Sequence, residues 1–433
     1  MKRILATIAL LVITTGAFAC TSVIITGKAT KDGRPLIWKN TDGGEHFCSQ
    51  RITYNELGKY AWAGLAWDGT PQSAWFGANE KGFVVMNTSS SNFFTGKKKS
   101  NGIIMKRALD VCVTVQDFVN LLDTVSLPKI NVASHYGVID AEGGAAYIEV
   151  KYLSSTKKLE YWVYDVNDPE LAPDGYMIYT NWSRNGKEDM GGGYIRYDSA
   201  TKIFAEGYKT KEFTPKWIID NLSRSYYNDL MGVDYRAMVD AGLYKGKGFI
   251  PDSDFIPRIT TYAATVVQGV KKGENPLLTT GWTALGYAPT SVMIPFWVAG
   301  GMDGLNKIVR GNDNNHNDLN IGENNAIICD LSLKLKTQVF SVIRGHGPNY
   351  LNFSKLYNAE GTGYIQQLAP VEKEVYDMTT AQLENWRKKG KIDKKELAAL
   401  NDRIYAIVMA APVYHNDYTY KYGKIGKKGE SNE

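Results

Sequence analysis

Cys20 directly follows a segment with the layout of a secretory signal, so it limits which proteins this chain can be. Export signals begin with positive charge, continue with an apolar run and end in small residues. Here the apolar run extends from Ile4 to Ile13, and the triplet Ala17-Phe18-Ala19 matches the Ala-x-Ala cleavage pattern. We therefore predict a signal peptide over residues 1–19 and an exported product, periplasmic or secreted, that begins at Cys20.

Two interpretations of Cys20 exclude each other chemically. A bacterial lipoprotein also begins at a cysteine, but lipid caps its thiol. The lipoprotein signal prefers a branched aliphatic residue three positions before the cysteine and a small residue two positions before it. Those positions hold Ala17 and Phe18, which fit the Ala-x-Ala pattern better. The sequence favours an uncapped cysteine, and a lipid-anchored, non-enzymatic periplasmic binding protein is the alternative.

An uncapped N-terminal cysteine carries a nucleophile and a base on one residue. Near neutral pH a terminal amine is an available base beside the thiol, so no separate histidine is needed. The chain has 5 histidines, and none of them stands in a familiar Cys/His protease signature. Cys20 is therefore the first candidate catalytic residue.

Composition excludes several other classes of protein. The formal net charge of +5 is too small to indicate nucleic acid or a membrane surface as a partner. After residue 19 no apolar stretch is long enough to span a bilayer. The spacing of Cys48, Cys112 and Cys329 matches no metal-binding signature. We expect no cofactor and no metal, and the oligomeric state stays open.

Strand and helix signals occur in groups, which favours a single α+β domain. The β-branched run from Thr21 to Thr26, the turn signal Lys31-Asp32-Gly33 and a second run ending at Asp42 predict a hairpin. Apolar residues at helical spacing predict a helix from Thr214 to Met231. We place the main domain at 20–370 and a C-terminal helical segment with a basic tail at 371–433.

The predicted hairpin carries a pattern that resembles a known family. Cys20-Thr21, then Asp32-Gly33, then Asn40 and Asp42 are similar to the opening of N-terminal nucleophile (Ntn) hydrolases of the choloylglycine hydrolase and penicillin acyltransferase type. Lys39 stands where that superfamily usually has an arginine. The resemblance implies the four-layer αββα sandwich of Ntn hydrolases, here with a C-terminal helical appendage.

The resemblance also implies roles for individual residues. Asp42 would hold the α-amine, and Lys39 would favour the thiolate of Cys20. Taken without the resemblance, the pattern of Lys39 and Asp42 favours a solvated pair at a strand end.

Three further residues are carried over by resemblance. The segments "GANEKGFVVMNTS" and "YMIYTNWSRNG" place Asn87 and Asn181 as donors to the oxyanion. The segment beginning "PRITTYAATVV" places Arg258 near an active-site arginine. From the residues alone, both asparagines are also consistent with ordinary loop residues or glycosylation acceptors, and Arg258 with a surface arginine at a strand start.

The implied reaction is cleavage of a linear, non-peptide C–N amide bond in a small-molecule N-acyl amide, through a thioester on Cys20. Hydrolysis and transfer to an amine both stay open. Cleavage ahead of Cys20 by signal peptidase or by the chain itself also stays open, since both act at one bond. A second enzymatic reading is a dipeptidase of the related cysteine Ntn branch, which shares the Asn-Glu-Lys-Gly element.

Overall fold

The computed structural model describes residues 20–43, 50–67, 73–93, 101–124, 132–153, 155–244, 246, 248–252, 254–311, 326–341 and 350–415. The predicted signal peptide, Cys48 and the basic tail lie outside these ranges. Within them, no helix is both long enough and apolar enough to cross a membrane.

Within the described ranges, the strands form two large antiparallel sheets and two small ones. One large sheet has six strands in the order β10-β1-β2-β14-β15-β16, and the other has seven, β3 to β9, in chain order. Two pairs, β11 with β12 and β13 with β17, stand apart. The strands are β1 (Thr21–Ile25), β2 (Leu36–Asp42), β3 (Gln50–Asn55), β4 (Trp62–Trp67), β5 (Phe76–Asn79), β6 (Val84–Ser89), β7 (Ala133–Ile139), β8 (Ala145–Leu153), β9 (Lys158–Asp165), β10 (Tyr176–Tyr179), β11 (Tyr227–Asn228), β12 (Val233–Asp234), β13 (Phe249–Pro251), β14 (Thr261–Gln268), β15 (Thr280–Leu285), β16 (Ile294–Phe296) and β17 (Tyr350–Asn352).

Along the described part of the chain, the helices lie between the strands and after the last of them. They are α1 (Asn101–Val111), α2 (Val115–Thr124), α3 (Tyr194–Thr210), α4 (Pro215–Ile218), α5 (Tyr235–Asp240), α6 (Gly301–Gly304), α7 (Lys307–Arg310), α8 (Ile327–Val339), α9 (Tyr364–Lys389) and α10 (Lys394–Met409). A π-helical turn follows α4 at Ile219–Ser223.

The two large sheets pack face to face, because alternate residues of each strand point to the same side. Ile24 of β1 and Ile37 of β2 belong to one apolar cluster with Leu65 of β4 and Val84 of β6. A hydrogen bond of 3.0 Å between Ser22 Oγ and the hydroxyl of Tyr147 in β8 also joins the two sheets.

Helices cover the two outer faces. Val23 and Trp38 point away from the other sheet and pack in a cluster with Phe204 of α3. On the far side, Val85 of β6 packs in a cluster with Leu109 of α1. The order of layers is helix, sheet, sheet, helix, so the predicted αββα sandwich is confirmed.

The helix predicted from Thr214 to Met231 is wrong beyond its first turns. Thr214 caps the start by accepting a hydrogen bond from the amide of Trp217, as its sequence favours. The helical turns end at Ser223, and Tyr227–Asn228 forms β11 instead. Arg224 explains the change, since its side chain points inward and donates to buried backbone carbonyls that no local pattern reveals.

The C-terminal helices pack onto this body. α9 begins at Tyr364, so the boundary predicted at residue 371 lies inside a helix. Glu372 of α9 is buried and accepts hydrogen bonds of 2.7 and 2.6 Å from the guanidinium of Arg224. Tyr376 of α9 lies against Trp282 of β15, with ring centroids 5.1 Å apart.

Candidate active site

Cys20 lies at the start of the predicted hairpin, which the structure confirms. β1 and β2 are antiparallel, with Thr21 opposite Asn40 and Ser22 opposite Lys39. The side chain of Cys20 is buried, and its Sγ atom lies 3.9 Å from the backbone oxygen of Asp42. A hairpin of this length therefore brings three candidate residues, Cys20, Lys39 and Asp42, together by local pairing alone.

Lys39 points into the space between the sheets. It shares a face with Ser22, and its Nζ atom donates to Asn87 Oδ1 at 3.1 Å and to the backbone oxygen of Trp75 at 3.2 Å. Burial lowers the pKa of Lys39, and the nearby Cys20 and Asp42 oppose that shift. Lys39 is thus a desolvated cation that is held in place beside the candidate nucleophile.

Asn87, in β6 of the other sheet, is the main side-chain partner of Lys39. Its amide oxygen accepts from Lys39, and its amide nitrogen donates to Ser134 Oγ at 3.2 Å. The structure thus places Asn87 next to Lys39. Its predicted role as an oxyanion donor stays a prediction.

Asp42 is the centre of a buried polar cluster at the end of β2. Its Oδ1 atom accepts from Thr261 Oγ1 at 2.6 Å and from Asn40 Nδ2 at 3.1 Å. Its Oδ2 atom accepts from Arg258 Nε at 3.1 Å and from Arg258 Nη2 at 2.7 Å. All four contacts require the carboxylate as an acceptor.

Arg258 reaches Asp42 from the turn before β14. It also pairs with Asp254, whose Oδ1 atom lies 3.3 Å from Arg258 Nη1. Burial lowers the pKa of Arg258, but Asp42 and Asp254 more than compensate, so the net shift is upward. Arg258 is therefore a charged, largely buried partner of Asp42, and the alternative of an exposed surface arginine is excluded.

Asn181 comes from the other edge of β1. It follows β10, which pairs with β1 so that Tyr179 lies opposite Ser22. Its Nδ2 atom donates to the backbone oxygen of Ser89 at 2.8 Å, and its Oδ1 atom accepts from Arg196 Nη2 at 2.9 Å. Asn181 is buried, so an exposed glycosylation acceptor does not describe it.

Sequence reasoning missed Arg196, in the first turn of α3. Besides Asn181, its Nη1 atom donates to the backbone oxygen of Cys20 at 2.8 Å and to Thr21 Oγ1 at 2.7 Å. Burial, and after it the charge of Arg258, lowers the pKa of Arg196 to about 9, against the opposing effect of Asp42. A group with that pKa stays protonated at neutral pH.

The signal for Arg196 in the sequence is the glycine run before α3. Gly193 has a φ of 80°, in the region that favours glycine. A Cβ atom at Gly193 would lie 2.2 Å from Arg196 Nη2. Because Gly193 has no side chain, the guanidinium of Arg196 has room to reach the start of β1.

All six predicted site residues lie in one connected region. Cys20 contacts Asp42, and Asp42 contacts Arg258. Lys39 contacts Asn87 and lies close enough to Cys20 and Asp42 for both to affect its pKa. Asn181 joins them through Arg196, which touches residue 20. A buried thiol beside a buried cation, with fixed amides nearby, is an arrangement suited to nucleophilic attack on a carbonyl. Among the residues that the structure describes, no group of three histidine, cysteine or acidic side chains is placed to hold a metal.

A comparison with known protein families gives a match to the part of the chain that holds four of these six residues. Residues 29–190 match the family described as acyl-coenzyme A:6-aminopenicillanic acid acyl-transferase. The match includes Lys39, Asp42, Asn87 and Asn181, and it leaves out Cys20 and Arg258. It confirms the predicted resemblance to the penicillin acyltransferase type over that part of the chain. A search of curated proteins gives no significant match.

Several solved structures are similar to parts of this chain. A variant of a conjugated bile acid hydrolase from Clostridium perfringens is 13% identical, with 66% of this chain and 93% of that chain covered and a TM-score of 0.37. Penicillin V acylase from Agrobacterium tumefaciens is 14% identical, with 65% and 87% covered and a TM-score of 0.34. Penicillin G acylase from Alcaligenes faecalis is 9% identical, with 46% and 51% covered and a TM-score of 0.32.

Proposed function

We propose that this chain is an exported N-terminal-cysteine amidohydrolase or acyltransferase. Its substrate is a small-molecule N-acyl amide, and it cleaves a linear, non-peptide C–N bond through a thioester on Cys20. The observation that supports this most is the position of Cys20 at the start of β1, in contact with Asp42 and with Arg196. The family match to an acyl-transferase points to the same class of reaction.

The reaction begins once the bond between Ala19 and Cys20 is cut, because only then does residue 20 have an α-amine. The amine takes the thiol proton as Sγ attacks the amide carbon, and it passes that proton to the leaving nitrogen as the C–N bond breaks. The acyl group is left as a thioester. Water then attacks the thioester, gives one proton to the thiolate through the amine and releases the acid. An amine in place of water gives a new amide.

The neighbouring residues have separate tasks in this scheme. Lys39 favours the thiolate through its charge, since desolvation strengthens interactions between charges. Asp42 lies at the same strand end as Cys20 and holds the new terminus. Asn181, with Asn87 as a second donor, stabilises the negative charge that develops on the carbonyl oxygen, where loss of one such donor costs about 3 kcal/mol.

The test is turnover by the exported protein and its Cys20 variants on a panel of N-acyl amines, N-acyl amino acids and dipeptides. We expect Cys20→Ala to abolish turnover with the fold intact and Cys20→Ser to retain far less than wild type, because a hydroxyl ionises less readily than a thiol. Cys112→Ala is the matched control. Burial raises the pKa of Cys112 to about 12, and it packs under α1, away from the candidate site. Full activity in Cys20→Ala would overturn the proposal.

The substrate panel separates the alternatives. Release of dipeptides as the main products favours the cysteine dipeptidase. Acyl transfer is recognised when an added amine is converted to an amide at the expense of the free acid. A diacylglyceryl mass on Cys20, together with no turnover, supports the lipid-anchored binding protein and excludes the reaction.

A further inference from the structure

We propose that Arg196 is a positioning residue for this reaction. It fixes both the orientation of the Asn181 amide and the place of the first residue of the mature chain. This inference rests on the proposed function, since it concerns the same site. Three contacts carry it, and they run from one guanidinium to Cys20, Thr21 and Asn181.

The contact with Asn181 decides which way its amide faces. Arg196 has only donors, so the atom of Asn181 facing it must be the oxygen. The amide nitrogen then faces the backbone oxygen of Ser89, at 2.8 Å. A flipped amide would place two donors against each other on one side and two acceptors on the other. Arg196 therefore fixes Asn181 with its amide oxygen toward the guanidinium and its amide nitrogen toward Ser89, where that nitrogen acts as a donor.

The contacts with Cys20 and Thr21 restrain the new chain end. The first residues of a mature chain usually fray, because nothing precedes them to hold their backbone. Here the carbonyl oxygen of Cys20 and the hydroxyl of Thr21 both accept from Arg196 Nη1, at 2.8 and 2.7 Å. With its carbonyl fixed, residue 20 presents its thiol and its amine in one arrangement, which nucleophilic catalysis needs.

Arginine is required for this task, and lysine is not equivalent. The planar guanidinium presents two nitrogens at fixed spacing, one to residues 20 and 21 and the other to Asn181. An ammonium has one nitrogen on a flexible stem, so it does not span the distance from residues 20 and 21 to Asn181. Gly193 is part of the same arrangement, because a side chain at this position would occupy the place of Arg196 Nη2.

The experiment compares Arg196→Lys and Arg196→Met with Arg224→Lys. Arg224 is an equally buried arginine that also donates to backbone carbonyls, but it binds Ala288, Ser291 and Glu372 outside the site. For both Arg196 variants we expect kcat to fall at least ~10-fold, the loss typical of a misplaced catalytic group, with KM changed by less than ~3-fold. Arg224→Lys is expected to lower the melting temperature while kcat per folded molecule stays at the wild-type value.

Two further measurements test the role of Arg196 without measuring turnover. Amide hydrogen exchange at residues 21 and 22 is expected to accelerate in Arg196→Lys, and the alkylation rate of Cys20 is expected to change. Gly193→Ala is expected to reproduce both effects, and it takes the place of Arg196→Lys in these two measurements if Arg196→Lys does not fold. Wild-type exchange and alkylation in the folded Arg196→Lys variant would overturn the inference. If the wild-type protein turns over no amide, the proposed function fails, and these two readouts still decide the role of Arg196.

Discussion

The pair formed by Asp42 and Arg258 gives the sharpest test of how the site is assembled. Asp42→Asn replaces an oxygen that accepts from Arg258 at 3.1 and 2.7 Å with an amide that can turn a donor toward the guanidinium. Breaking one partner of a buried ion pair costs about 3–5 kcal/mol. The remaining pair of Arg258 with Asp254 offsets little, because that carboxylate is half exposed and such pairs contribute at most ~1 kcal/mol. We therefore expect Asp42→Asn to lower the free energy of unfolding by about 3–5 kcal/mol.

The assay is denaturant unfolding of Asp42→Asn, Arg258→Met and the double variant, all made in Cys20→Ala so that turnover plays no part. Once Arg258 is gone, the carboxylate keeps its contacts with Thr261 and Asn40, so the second substitution costs less. We expect the loss of stability in the double variant to be about 2–3 kcal/mol smaller than the sum of the two single losses. Additive losses would refute the claim that these two side chains hold each other.

Three other side chains give predictions that depend on charge and pH. Lys39→Arg is expected to move the loss of kcat/KM at alkaline pH to higher pH, because burial lowers the pKa of Lys39 whereas an arginine stays charged. If that loss of activity stays at the same pH, deprotonation of Lys39 is not its cause. Burial alone would raise the pKa of Glu372, but Arg224 brings it below its ordinary value. The ionised Glu372 therefore stabilises the fold above pH ~4.3, and this stabilisation is lost as the pH falls through the folded-state pKa. Glu372→Gln should therefore cost about 3–5 kcal/mol at pH 7, and an unchanged melting temperature would contradict this. Burial raises the pKa of Asp252 to about 6, so stability falls by about 3 kcal/mol as the pH rises from ~4 to ~6. Asp252→Asn is expected to remove that dependence in pH-resolved melting curves, and a dependence that remains would assign it to another group.

The sequence predicts the parts of the site that depend on local pairing. Cys20, Lys39 and Asp42 belong to one hairpin, and strand pairing with a period of two is sufficient to bring them together. Asn87 and Asn181 lie on other strands, and only the resemblance to a family indicated them. Nothing in their immediate neighbourhood in the sequence distinguishes them from ordinary loop residues.

Long-range contacts account for what sequence reasoning missed. Arg196 and Cys20 are 176 positions apart, and the glycine run before α3 is a local signal that does not indicate which distant residue Arg196 contacts. The end of the helix after Ser223 has a similar cause, because Arg224 bonds to residues 64 and 67 positions further along the chain. Helix periodicity reports a buried face, but it does not report which tertiary partner interrupts it.

The proposed chemistry requires that the sulfur and the terminal nitrogen of Cys20 are both uncapped after export. The most direct measurement is the intact mass of the exported protein, with sequencing of its first residues. We expect a chain that begins at Cys20 and carries no adduct on either atom. A chain that begins elsewhere, or one with acyl or diacylglyceryl mass on Cys20, would exclude the proposed chemistry.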